Sequence, residues 1–101
     1  MVENLTLSDG FKLWDIGLNI ATKTGSKVII NFNIYGTLIP HINNHIATVP
    51  TGFRPKNNII IPVSFVESYG YGTIVQDGKI YVCPNTNAAP VYVGSTVEYY
   101  I

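Results

Sequence analysis

Lys27-Val28-Ile29-Ile30-Asn31-Phe32-Asn33-Ile34-Tyr35 decides the fold class. In an extended chain Val28, Ile30, Phe32 and Ile34 fall on one side, and Lys27, Asn31, Asn33 and Tyr35 on the other. Successive side chains of a strand point to opposite faces, so this period of two makes one apolar face and one polar face. Ile29 alone interrupts the polar face, as a residue at an edge or an interface does.

Upstream, Thr22-Lys23-Thr24-Gly25-Ser26 reads as a turn. Before it Trp14, Ile16, Leu18 and Ile20 alternate with Asp15, Gly17 and Asn19, which predicts a second half-buried strand antiparallel to the first. On this phase Trp14, Ile16 and Leu18 join the core with Val28, Ile30, Phe32 and Ile34. Leu5, Leu7 and Phe11 suggest only a frayed lead-in over residues 1–12, with the domain proper at 13–101.

Downstream, Gly36 ends or bulges the strand, and His41-Ile42-Asn43-Asn44-His45 reads as a loop. Ile46 to Val49 is a short strand. Pro50 and Pro55 fix φ and lack a backbone donor, and Gly52 between them permits a sharp bend, so a corner follows. Arg54 is expected to pin that corner by donating to nearby carbonyls. Asn58 to Val66 places Ile59, Ile61, Val63 and Phe65 on one side, but Pro62 cannot donate to a ladder and predicts an edge or a bulge. Ser68-Tyr69-Gly70-Tyr71-Gly72 reads as a glycine-flanked loop. Asp77-Gly78 suits a two-residue type I′ hairpin that pairs Val75 with Ile80, burying both. Val91 to Val93 and Thr96 to Ile101 are the last strands, separated by Gly94-Ser95. Seven to eight short strands and no helical period predict an all-β antiparallel sandwich of jelly-roll type.

Composition narrows the function. The 101 residues are 47% hydrophobic and only 12% charged, with mean hydropathy +0.23. So much apolar surface on so small a domain points to burial between subunits. No apolar run approaches the length of a spanning helix, and no amino-terminal signal pattern is present, so membrane insertion is not expected. The net charge is zero and the six basic residues are scattered, which disfavours nucleic acid. The single Cys83 excludes an intrachain disulfide.

Catalysis is not expected. Asp77 belongs to a turn, Asp15 to an outward strand position, and nothing in the spacing joins Glu67 to Glu98. No Gly-x-Ser-x-Gly elbow occurs, and Cys83 has no signature linking it to His41 or His45. Those two histidines lack a third ligand of suitable type, so no metal and no other cofactor is implied. Ten asparagines and seven tyrosines are more informative. A saccharide is held by amides and hydroxyls that meet its hydroxyl groups, and by an aromatic ring against its apolar face. The candidates are Tyr69 and Tyr71 as platforms, with Asn43, Asn44, His45, Asn85 and Asn87 as hydrogen-bonding groups. The plainer alternative is that these tyrosines pack and these asparagines make turns.

The string Ile46-Ala47-Thr48-Val49-Pro50-Thr51-Gly52-Phe53-Arg54-Pro55 resembles a segment of the carboxy-terminal head domains of phage tail-fibre and baseplate receptor-binding proteins. Trp14-Asp15-Ile16-Gly17-Leu18, Lys23-Thr24-Gly25-Ser26-Lys27-Val28, the Ile59–Val63 strand, Asp77-Gly78 and Gly94-Ser95-Thr96-Val97 extend the likeness in order and spacing. This resemblance implies a β-sandwich head, usually trimeric, on the virion at a tail tip or baseplate. Such heads often bind a host cell-surface saccharide beside other tail or baseplate proteins. It also implies either an excised head or a stand-alone accessory domain, since no neck or shoulder region precedes it. A structural or assembly domain that binds no glycan is the alternative. Binding surfaces diverge among such heads, so the site residues above rest on their chemistry alone.

Overall fold

The computed structural model describes residues 1–14, 18–65, 68–87 and 89–101. These form ten strands and no helix: β1 Val2–Asn4, β2 Thr6–Leu7, β3 Lys12–Leu13, β4 Asn19–Thr24, β5 Lys27–Tyr35, β6 Asn44–Thr48, β7 Ile59–Phe65, β8 Ser68–Ile74, β9 Lys79–Pro84 and β10 Tyr92–Tyr100. All pairings are antiparallel, in the order β1-β4-β5-β10-β7-β8-β9-β6-β2, with β3 also on β5. The all-β expectation holds, as one antiparallel sheet nearly closed on itself into a flattened, sandwich-like barrel.

Closure comes from residues 1–7, the stretch expected to be a frayed lead-in. One extended segment pairs with β4 through β1, then crosses to β6 through β2. It changes partner at Leu5, whose side chain is buried. The Leu5 amide donates to the Asn19 carbonyl at 3.0 Å, and Asn19 Nδ2 donates to the Leu5 carbonyl at 3.0 Å. The backbone groups freed by the switch are thereby satisfied, which is why an amide side chain lies buried at Asn19.

β5 behaves as its alternation dictates. Val28, Ile30, Phe32 and Ile34 are fully buried, packed with Ile61, Val63, Phe65, Ile74, Ile80 and Val82 from the opposite wall. The phase of the preceding segment is inverted. Asn19 and Ala21 face inward, opposite Phe32 and Ile30, while Trp14 is 38% and Leu18 47% exposed, so neither joins the core as expected. The Trp14 amide donates to the Asn33 carbonyl, and the Asn33 amide donates to the Leu18 carbonyl. β3 ends at Leu13 and β4 begins at Asn19, and residues 15–17, Ile16 among them, lie outside the described residues.

The hairpin is shifted by one residue from its expected register. Ile74 pairs with Ile80, Val75 takes part through its amide to the Lys79 carbonyl, and the Gly78 amide closes on the Val75 carbonyl at 2.8 Å. Gly78 has φ 91 and Asp77 does not have positive φ. This is a three-residue loop with glycine in the left-handed position, not a type I′ turn. Ile74, not Val75, therefore shares the core with Ile80, and Val75 is half-buried. The proline corner does form. The Phe53 amide donates to the Pro50 carbonyl, Gly52 has φ 94, and Arg54 Nε donates to the Val49 carbonyl at 2.9 Å.

Both chain ends lie beside the β4–β5 turn. The terminal ammonium of Met1 donates to the Lys23 carbonyl at 3.1 Å, and the Ile101 amide donates to the Ser26 carbonyl at 2.8 Å. The loops that follow β5 and β9 lie at the opposite pole.

Candidate functional site

Tyr69 and Tyr71 sit on β8, a strand where a loop was expected. Gly70 between them and Gly72 after Tyr71 occupy inward positions. A Cβ on Gly70 would lie 2.6 Å from the Phe65 ring, and one on Gly72 2.6 Å from the Tyr81 carbonyl. The core leaves no room for inward side chains here, so the glycines serve packing and not looseness. The tyrosines consequently project outward, 80% and 53% exposed, from a strand paired on both sides.

The asparagine and histidine candidates gather at the pole where the 36–43 loop and the segment 85–87 after β9 lie. The His41 amide donates to the Pro84 carbonyl at 2.9 Å and its Nε2 lies 3.1 Å from Asn87 Oδ1, which ties the two loops together. Asn43 and Asn85 are exposed in the same region. Asn44 lies on β6, and its amide is committed within the protein: Oδ1 accepts from the Ile39 amide, and Nδ2 is within 3.2 Å of the Ile39, Ile42 and Val82 carbonyls. His45 is also on β6, not in a loop. Its Nε2 is 3.2 Å from Thr48 Oγ1 and its ring packs on Tyr81. Of the seven candidates, Tyr69, Tyr71, Asn43 and Asn85 thus present side chains uncommitted to other described groups.

A second surface, which the sequence reading did not single out, lies on the outer face where β10 and β7 part. These strands pair only at Val93–Phe65 and Gly94–Ser64. Beyond that point the ladder stops. Within a strand the amide and carbonyl of one residue point to the same side, and the Pro62 carbonyl accepts from Ser95 Oγ on β10 at 2.7 Å. The donor that Pro62 lacks would therefore have faced β10. β7 is not the edge strand expected: it lies between β10 and β8, paired with β8 along its length, and only its ladder with β10 breaks off.

The parted strands leave two adjoining hollows of about 280 and 370 Å³ that share Ser64, Gly94, Ser95 and Thr96. Asn31, Asn33 and Tyr92 border one side, Pro62, Tyr69 and Gly70 the other. The Tyr92 hydroxyl donates to Asn33 Oδ1, directly above Gly94. Tyr92 in turn meets Trp14 edge-on at 5.2 Å, and Trp14 lies 5.4 Å from Tyr35. The signal for this surface was present in the sequence as the outward residues Asn31 and Asn33 of β5. Trp14 was hidden by the phase inversion.

No protein-family model matches the sequence, and no curated protein does. Among solved structures, the chain is similar to the head domain of the lactococcal phage bIL170, a structure described with the receptor-binding domains of lactococcal phages. The TM-score is 0.72 at 14% identity, over 100% of this chain and 97% of that one. At that identity the likeness is one of fold.

Proposed function

We propose that this domain is a non-catalytic host-recognition module of a phage tail, placed at the tail tip or baseplate, that binds a cell-surface saccharide without a cofactor. The observation that carries the reading is the outward pair Tyr69 and Tyr71, held on a paired strand by inward glycines. Rigid, exposed aromatic faces beside uncommitted Asn43 and Asn85 suit the apolar face and hydroxyls of a sugar. Fold likeness to a phage head domain supports the host-recognition part. Single sites on an open sheet give weak affinity, on the order of millimolar. A homotrimer, repeated on the particle beside other tail proteins, raises avidity without new contacts.

The test is the double variant Tyr69→Ala, Tyr71→Ala on a glycan array and in a cell-adhesion assay. Both side chains are outside the core, so melting should stay within a few degrees while adhesion is lost. Adhesion equal to that of the parent domain would overturn the role of these tyrosines. A second reading, an assembly domain that binds no glycan, draws on Ile60, which is 79% exposed on the same outer face. Under the trimer reading Ile60 and the half-buried Ile29 line the contact between copies, while Ile30 and Ile61 are already spent in the core.

A further inference from the structure

We infer that the groove beside Gly94, where β7 and β10 part, is a binding subsite for a run of uncharged sugar units lying across the strands, a proposal that rests on the saccharide reading above. Cross-strand register aligns Asn33, Gly94, Ser64 and Tyr69 in one row on the outer face. At the usual strand spacing the row spans about 14 Å, the reach of a short oligosaccharide. The hollows open along this row beside Gly94, where β7 and β10 part, and the place of the missing Gly94 side chain is taken by the Asn33–Tyr92 pair. A Cβ there would lie 2.3 Å from Asn33 Oδ1 and 3.0 Å from the Tyr92 hydroxyl.

The rims carry unspent hydrogen-bonding capacity. Tyr92 fixes Asn33 by occupying Oδ1, which leaves Asn33 Nδ2 as an oriented donor. Among the described residues, Asn31, Ser64 and Thr96 make no side-chain hydrogen bond. Tyr69 stands at the far end of the row as an open aromatic face. No Lys, Arg, Asp, Glu or His borders either hollow among the described residues, so a charged sugar finds no counter-charge there. Oriented amide, hydroxyls, aromatic wall and neutral floor together match a neutral saccharide and not an anionic one.

The test uses short neutral oligosaccharides, and the same chains bearing carboxylate or phosphate groups, titrated into the domain and followed by backbone amide shifts. Neutral chains should bind and shift Gly94 and Ser95. Asn33→Asp keeps the acceptor for Tyr92 but removes the free donor, and Ser64→Gln fills the hollow. Each should weaken binding by about tenfold or more with the melting temperature retained. Thr96→Gln obstructs the groove from β10 and serves if either variant is unstable. Binding that survives these variants but is lost in Tyr71→Ala, Asn43→Ala or Asn85→Ala overturns the groove and leaves the saccharide reading standing. Tighter binding of the charged chains overturns the neutral assignment. If no chain binds, the saccharide reading falls and the groove assignment falls with it.

Discussion

Asn19 carries the closure of the sheet on one side chain. Its Nδ2 holds the Leu5 carbonyl, and its Oδ1 is buried without a partner among the described residues. Asn19→Ala would orphan that carbonyl and should cost about 1–3 kcal/mol in a denaturant titration. Faster amide exchange should then appear in residues 2–7 before the rest of the barrel. Tyr99 is a second buried anchor, its hydroxyl donating to the Phe53 carbonyl at the proline corner. Burial raises the Tyr99 phenol well above its ordinary value of 10.0. The folded state keeps a proton that the unfolded chain releases, so the stabilisation is complete below about pH 10 and is lost as pH climbs through the folded-state pKa. Unfolding midpoints should fall above about pH 10, and Tyr99→Phe should flatten that fall. Equal slopes in the two proteins would assign the alkaline loss to other groups.

At the scale of elements, the β8–β9 hairpin offers a clean contrast. Gly78 has φ 91, and a Cβ there would lie 2.5 Å from Arg54 Nε and 2.6 Å from the Val49 carbonyl. Gly78→Ala should destabilise by about 2 kcal/mol or more. Asp77 caps the Lys79 amide at 3.1 Å and lies 3.9 Å from the Lys79 ammonium in an exposed ion pair, so Asp77→Asn should change stability by less than about 0.5 kcal/mol. A type I′ turn would hold residue 77 at positive φ as well, where Asn is favoured and a branched side chain is strained, so thermal melts of Asp77→Val against Asp77→Asn decide between the turns.

The legible elements are those whose pattern is set within one strand. β5 could be read residue by residue because its inward positions are all large and apolar. β8 could not, because two of its inward positions are glycines chosen by the Phe65 ring and the Tyr81 carbonyl of the flanking strands β7 and β9, contacts that local sequence does not display. Gly94-Ser95 looked like a break for a similar reason. They lie within a continuous nine-residue β10, where glycine makes room for the Asn33–Tyr92 pair. The candidate site was partly legible. The outward tyrosines follow from their chemistry, whereas Asn33 and Trp14 meet through Tyr92 of a distant strand, a contact that local sequence does not display.

For the whole molecule, closure by residues 2–7 makes the amino-terminal segment part of the core. Leu5→Ala should cost about 2–5 kcal/mol, far more than its place in an expected lead-in suggests. Removing residues 1–7 should open the barrel along β4 and β6, exposing edges that pair with other chains. Light scattering should then report aggregation where the intact domain gives one discrete species. The position of the chain ends has a mechanical corollary. Met1 and Ile101 leave from one pole with only β4 and β5 between them. A load that draws the two ends apart acts across the strands and opens the ladder bonds one after another, like a zip. A load between those ends and the loops of the other pole runs along the strands, where the rungs joining β5 to β10 resist in shear together. The domain is therefore weak against having its own termini separated and strong against being pulled lengthwise.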